Sequence, residues 1–171
     1  METNVSTRNL LKVKIDPKGG LRADYQVTVA DGGEPTIIER SENCSAEIHP
    51  DLRAAVNALR EFVCKCFAFP ADFLEKIEIR GVAWSGTGDG VGIVITSVLE
   101  SANGLKSALN TPRIKVTQQS YGFEEDLEVA VDAVKAQVFA YLFDGKRAQL
   151  SLFGENSVEP DGEEEPDSAF N

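Results

Sequence analysis

Segments in which apolar and polar residues alternate recur along this chain, and clusters of turn residues separate them. The segment at 10–16 shows the pattern most clearly, and 21–30, 76–84 and 91–98 are further predicted strands. A period of two places successive side chains on opposite faces of a β-strand, so each segment can bury one face and expose the other. Such a chain must build a sheet, and short turns between the segments make neighbouring strands antiparallel.

Turn residues define how these strands are connected. Pro17-Lys18-Gly19-Gly20 joins the first two strands, and Asp31-Gly32-Gly33 leads to a weaker third strand at 36–39, which predicts a meander. Residues 101–112 contain Asn-Gly and Thr-Pro pairs, which break regular structure, so this stretch is predicted to be mostly loop. One more strand is expected at 113–117.

Two stretches have helical periodicity instead. His49-Pro50-Asp51 opens the first, where a proline costs nothing because that N–H has no partner inside a helix, and Pro70 ends it. The second runs from Phe123 to Phe143, with acidic residues in its first turn and Asp144-Gly145 as a stop signal. The apolar residues recur on one side of each helix: Leu52, Val56, Leu59, Phe62, Val63 and Cys66 in the first, and Phe123, Leu127, Ala130, Val131, Val134, Val138, Tyr141 and Leu142 in the second.

The order of these elements predicts the fold class. Strands, a helix, more strands and a second helix follow one another along the chain, which favours an α+β protein. We expect an antiparallel sheet built from two hairpin or meander units, with two helices packed on one face. Residues 1–148 are predicted to form this single domain.

The net charge of −11 is unevenly distributed along the 171 residues. After Gly154 there is no Lys or Arg but seven acidic residues, so residues 154–171 are predicted to be a disordered acidic tail. Subtracting those seven charges leaves −4 for the rest of the chain. Binding to a nucleic-acid backbone depends on Lys and Arg, so this composition does not favour nucleic acid as a partner and suggests no basic face.

Hydropathy places no membrane segment in the chain. No stretch approaches the roughly 20 apolar residues that a membrane-spanning helix needs. The first residues, Met1-Glu2-Thr3-Asn4, are polar and are not followed by the apolar core of a signal peptide. A cytoplasmic protein is therefore expected, with reduced thiols and no membrane partner.

Cys44, His49, Cys64 and Cys66 can be considered together as a zinc-binding set. Cys64 and Cys66 are two residues apart on a predicted helix, so their side chains point roughly 200° away from each other. Paired ligands of structural zinc sites usually have two to four residues between them. We therefore expect no metal or other cofactor, and small buried or half-buried thiols instead.

The glycine-rich segment 85–90 and the rest of the chain offer little for catalysis. Gly86, Gly88, Gly90 and Gly92 do not match the spacing of a dinucleotide-binding loop, because position 91 is Val, and no Gly-Lys-Ser/Thr follows. Glycine and aspartate between two strands indicate a hairpin turn. No nucleophile elbow and no zinc-protease motif occurs in the sequence, so we expect no enzymatic activity and no catalytic residues.

Gln149-Leu150-Ser151-Leu152-Phe153, called the pentapeptide below, follows the last predicted helix and precedes the acidic tail. Large apolar residues in such a place are a liability unless something covers them. The pentapeptide resembles the motif by which bacterial polymerases and mismatch-repair proteins dock on the DNA sliding clamp. The resemblance implies that Leu152 and Phe153 fill an apolar pocket of the clamp, Leu150 a shallower part of the groove, and that Gln149 hydrogen-bonds at its mouth. The alternative is that the apolar residues form a last strand or flap packed on the body.

Other parts of the chain resemble small uncharacterised proteins of tailed bacteriophages and prophages. The resemblance rests on Lys76-Ile77-Glu78-Ile79-Arg80-Gly81-Val82, the glycine-rich segment and Asp144-Gly145-Lys146-Arg147-Ala148-Gln149. It implies a phage-encoded protein in a bacterial host cell but no particular activity. With the pentapeptide, it leads us to expect an adaptor that docks on the sliding clamp and acts on replication or repair.

Two alternatives remain open at this stage. Phe170 follows the acidic run and resembles the tail of single-stranded-DNA-binding proteins, so a single-strand binder with an acidic tail is one of them. Such a binder needs a basic groove with exposed aromatic side chains. The other is a phage structural or assembly protein in which the pentapeptide belongs to the core.

Overall fold

The computed structural model describes residues 5–30 and 33–148. The pentapeptide and residues 154–171 lie outside the described residues, so the predicted docking motif and acidic tail have no structural account here. The strands are β1 (Val5–Ile15), β2 (Leu21–Val29), β3 (Thr36–Cys44), β4 (Ile77–Ser85), β5 (Gly92–Glu100), β6 (Lys106–Asn110) and β7 (Ile114–Lys115). The helices are α1 (Pro50–Ala58), α2 (Arg60–Phe67) and α3 (Glu124–Phe143), with 3-10 turns at Ala71–Lys76 and Gly88–Gly90.

The strands form an antiparallel sheet in the order β3-β2-β1-β4-β5-β6, and β7 also pairs with β5. This order contains two meanders, β1-β2-β3 and β4-β5-β6, joined by the pairing of their first strands. The described helices lie on one face of the sheet, where α1 packs against α3, and α1 and α2 contact β4. The predicted α+β class, built from two meander units with helices on one face, is confirmed.

The alternation read from the sequence is visible in the burial of β2 and β4. Leu21, Ala23, Tyr25 and Val27 are buried under the helices, while the residues between them face the other side of the sheet. The predicted stripe of α3 packs onto this inner face through five buried side chains, Leu127, Val131, Val134, Val138 and Tyr141. Burying each such side chain contributes roughly 1.5–3 kcal/mol to the stability of the fold.

The first predicted helix is divided into α1 and α2 at Leu59. The Leu59 N–H donates to Val56 O at 3.1 Å, which closes a tighter turn than the α-helical one. Leu59 itself is fully buried. The apolar side predicted from periodicity is preserved through the interruption, because Leu52, Val56, Phe62 and Val63 are also buried.

The prediction of a loop over 101–112 is wrong in part. Residues 106–110 form β6, which pairs with β5 from Thr96 opposite Asn110 to Glu100 opposite Lys106. The Asn-Gly pair does make a turn, since the Gly104 N–H donates to Ser101 O at 2.9 Å, but it is the tight turn of a hairpin. The predicted strand at 113–117 is reduced to two residues, Ile114 and Lys115.

In the part of the chain that the structure describes, no helix is both long enough and apolar enough to cross a membrane. The longest described helix is α3, whose 20 residues include acidic side chains in the first turn.

β1 and β4 join the two meanders over only three residue pairs, from Lys12 opposite Ala83 to Lys14 opposite Gly81. Next to this junction β4 bulges at Arg80, where its pairing with β5 shifts by one residue. A bulge bends the strand and changes the direction of its side chains. At Gly81, a Cβ atom would lie 2.5 Å from the carbonyl oxygen of Val13, so the junction has room only for glycine.

Gly81→Ala is therefore expected to lower the free energy of unfolding by about 2 kcal/mol, because the strands must separate to admit the methyl group. Gly90→Ala is the matched control, since a Cβ there meets nothing within 4 Å. It should change the free energy of unfolding by less than about 0.5 kcal/mol. Urea denaturation measures both, and equal stabilities would contradict the tight junction.

Glu124 holds the start of α3. Its side chain is buried, and Oε1 accepts a hydrogen bond of 2.6 Å from the Tyr121 N–H. This bond, with further N–H groups of the same turn, keeps the pKa of Glu124 below its ordinary value of 4.5. A carboxylate with a lowered pKa stabilises the fold above its unfolded-state pKa, and this contribution is lost as the pH falls through the folded-state value.

Glu124→Gln is expected to lower the melting temperature at pH 7, and the difference from the unmodified protein should shrink as the pH falls below 4.5. Glu125→Gln removes the same charge from the same helix turn at an exposed position, so it serves as the control. Thermal melts between pH 3 and about 7 followed by circular dichroism give the comparison. If the difference in melting temperature between Glu124→Gln and the unmodified protein grew toward acid pH, the charged form of Glu124 would not be the stabilising one.

Candidate functional site

The chain between α3 and the pentapeptide begins with a defined helix end. Gly145 has a φ of 68°, and the N–H groups of Asp144 and Lys146 donate to Ala140 O at 3.0 and 3.1 Å. Glycine in a left-handed conformation is the common way to end a helix. The predicted stop at Asp144-Gly145 is thus confirmed, since α3 ends at Phe143.

Lys146 ties this helix end to the start of α1. Its Nζ atom donates to Asp51 Oδ2 at 2.6 Å and to Gln137 Oε1 at 3.0 Å. The hydrogen bond and the positive charge of Lys146 lower the pKa of Asp51. The Asp51 carboxylate is therefore charged at neutral pH, and the contact joins α1 and α3 at the surface.

The next two residues attach the chain to the segment that precedes α1. Arg147 forms an antiparallel bridge with Ile48, and the Ala148 N–H donates to Glu47 O at 3.1 Å. We call Lys146, Arg147 and Ala148, together with these contacts, the exit anchor. It holds the chain against the body up to the residue before the pentapeptide.

Tyr141 supports the exit anchor from inside. Its ring is fully buried, and its hydroxyl donates to the carbonyl oxygen of Ala46. The guanidinium carbon of Arg147 lies 5.2 Å from the centre of the Tyr141 ring. Burial raises the pKa of Tyr141, so the hydroxyl stays protonated and remains a donor.

The five residues predicted to bind a partner, Gln149, Leu150, Ser151, Leu152 and Phe153, all lie outside the described residues. The structure describes the point from which they continue, next to Glu47 and the start of α1. Whether the apolar residues are free or packed on the body stays a prediction.

His49 caps α1. Its Nδ1 atom accepts a hydrogen bond of 3.2 Å from the Asp51 N–H, and Pro50 occupies the first helical position. The single histidine of the chain therefore has a structural role at the start of α1.

The three cysteines are free thiols, one at the end of β3 and two in α2. Cys44 ends β3, and Cys64 and Cys66 lie in α2, where Cys64 is buried and Cys66 half-buried. Among the described residues, no three or more His, Cys, Asp or Glu side chains form a group that could hold a metal ion, and the considered set with His49 is no exception. Burial raises the pKa of Cys66 to about 11, with a further contribution from the charge of Glu124.

Cys66 is consequently expected to react slowly. At pH 8 roughly one thousandth of it is thiolate, which is the reactive form. Alkylation by iodoacetamide, followed by mass spectrometry, should be about two orders of magnitude slower in the folded protein than in urea. Equal rates in the two states would mean that the thiol is neither buried nor shifted.

The glycine-rich segment is the turn of the β4–β5 hairpin, as predicted. Arg113 donates through Nη2 to the carbonyl oxygens of Ser85 and Gly90 at 2.9 and 2.8 Å, and the Thr117 hydroxyl donates to Asp89 O at 2.8 Å. A Cβ at Gly86 would lie 2.5 Å from Gly90 O, which explains a glycine there. The segment is closed by the protein's own side chains, so it is not an open phosphate-binding loop.

The face of the sheet opposite the described helices has a feature that the sequence argument missed. Lys12, Lys14 and Arg80 surround a hollow of about 410 Å³ at the β1–β4 junction. The alternation in Leu-Lys-Val-Lys places both lysines on one face, which is readable from the sequence. Arg80 joins them because of the bulge, which the isolated Gly81 inside the predicted strand could have indicated.

The sequence and the structure were compared with known proteins. No protein-family model, no curated protein and no solved structure matches the chain.

Proposed function

We propose that this chain is a non-enzymatic adaptor that docks on the bacterial DNA sliding clamp through the pentapeptide. The observation that carries the proposal is the match of Gln149-Leu150-Ser151-Leu152-Phe153 to the clamp-docking motif at every position. Its support from the structure is the exit anchor, which ends at Ala148, one residue before the motif.

The exit anchor suits a tether of this kind. A linear motif gains most of its binding energy from a few apolar anchors, while an extended backbone needs little adjustment to fit a groove. Because Lys146, Arg147 and Ala148 are already held on the body, their ordering costs nothing further when the motif binds. The docked clamp then lies near Glu47 and the start of α1.

The chemistry of the body fits a protein that acts by binding. His49 is used as a helix cap, and the raised pKa of Cys66 makes that thiol a poor nucleophile. The proposal assigns the chain to a tailed phage or prophage and to the cytoplasm of the bacterial host, where the clamp works. There it would recruit or obstruct replication and repair factors.

Single-strand binding is the less supported function. Tyr121 is the exposed aromatic side chain of the described part of the chain, and it lies in the loop before α3. Aromatic residues of the sheet, such as Tyr25 and Trp84, are buried under the helices. The stacking surface that a single-strand binder needs is therefore missing from the described residues on the sheet face opposite the helices.

Binding of the full chain to purified sliding clamp is expected with a dissociation constant in the micromolar range, about −8 kcal/mol. The double variant Leu152→Ala/Phe153→Ala should lose measurable binding, because it removes the buried anchors. Gln149→Ala should weaken binding about fivefold, since it removes one hydrogen bond worth roughly 1 kcal/mol. Surface plasmon resonance with immobilised clamp gives all three affinities.

Val129→Ala is the matched control, because Val129 is an apolar residue on α3 that is 72 % exposed. It should bind the clamp as the unmodified protein does. Circular dichroism separates the alternatives: a double variant that unfolds would mean that the apolar residues belong to the core. If the unmodified protein is folded but does not bind the clamp, the match to the docking motif is a coincidence and the proposal fails.

A further inference from the structure

The hollow at the β1–β4 junction results from the way the two strands separate. Their pairing stops at Lys14 and Gly81, and β4 bulges at the next residue, Arg80, in its pairing with β5. Small residues leave the space open, since Gly81 has no side chain and Ala83 only a methyl group. The polar groups of the lining come from Lys12, Lys14, Arg80 and Thr96.

The two lysines lack compensating charges. Both are exposed, and neither forms an ion pair within the described part of the chain. Asp24 lies opposite Lys12 in β2, but it accepts a hydrogen bond of 2.5 Å from Ser41 and lies 3.6 Å from the Nε atom of Arg22. Its charge is thus engaged elsewhere, and the lysine charges face solvent.

Arg80 adds a positioned donor group. Its Nη2 atom donates to Glu78 Oε2 at 2.9 Å, which fixes the guanidinium. Its Nε–H is buried and has no acceptor among the described residues. An unpaired buried donor destabilises the protein, and an anion that enters the hollow and accepts from this Nε–H would relieve that cost.

We propose that this hollow binds a phosphate group. Phosphate oxygens accept hydrogen bonds from guanidinium and ammonium groups, and such charge-assisted bonds are among the strongest in proteins. Three positive charges border the hollow, and the adjacent carboxylate of Glu78 already pairs with Arg80. The site is separate from clamp docking, which involves the pentapeptide and no residue of the sheet face.

The phosphate can belong to a small molecule or to a nucleic-acid backbone. No aromatic side chain borders the hollow, so a backbone would be held through its phosphates alone. Such contacts do not depend on the base sequence, and the affinity they provide falls steeply as the salt concentration rises.

Isothermal titration calorimetry of the full chain with pyrophosphate at low ionic strength tests the proposal. The unmodified protein should bind, and Lys12→Gln/Lys14→Gln should lower the affinity at least about tenfold. Lys106→Gln is the matched control, because Lys106 lies on the same face in β6 and its Nζ atom is 3.6 Å from Glu100. It should change the affinity less than about twofold.

A single-stranded oligonucleotide shows whether the phosphate belongs to a nucleic-acid backbone or to a small molecule. If it binds, and pyrophosphate displaces it, the ligand is a nucleic-acid backbone, and the double variant should reduce the salt slope by about two. If only pyrophosphate binds, the ligand is a small phosphate compound. The proposal is overturned if neither probe binds, or if the double variant, folded by circular dichroism, binds both as tightly as the unmodified protein.

Discussion

The packing of helices on only one face of the sheet is the constraint on which the rest of the molecule depends. The stripe of α3 must meet the inner residues of β1, β2, β4 and β5, so those positions are apolar and the large aromatic residues Tyr25 and Trp84 lie there. The same packing sets where α3 ends. Because Tyr141 is buried and bonded to Ala46, the last described residues are held at a defined place on the body. The opposite face carries charged side chains such as Lys12 and Lys14 together with apolar ones such as the exposed Ile37.

Much of this fold follows from two periodicities in the sequence, the alternation of the strands and the helical repeat of apolar residues. The alternating segments and the stripe of α3 are long enough for burial to decide them, and both predictions are confirmed. β6 could not be predicted from local residues, because its exposed side chains carry no alternation and its pairing with β5 supplies the hydrogen bonds. The division at Leu59 is equally invisible, since the apolar residues recur without a break.

The sequence predicts some parts of the candidate sites and not others. The pentapeptide is a linear motif, so its residues can be recognised without a fold, whereas the exit anchor beside it joins residues about a hundred positions apart in sequence. At the sheet face, alternation pairs Lys12 with Lys14, but Arg80 reaches the same hollow only through a bulge in another strand. An overall negative charge concealed this local group of cations, because net charge says nothing about which residues the fold brings together.

Amide hydrogen exchange of the full chain, with and without purified sliding clamp, tests the central claim most directly. The account predicts that the clamp protects peptides covering Gln149 to Phe153, while exchange in the sheet and in α3 stays unchanged. Peptides at the exit anchor should already be protected in the free protein, because the Ala148 N–H is bonded to Glu47. Protection confined to the body, or no change at 149–153 at saturating clamp, would contradict the account.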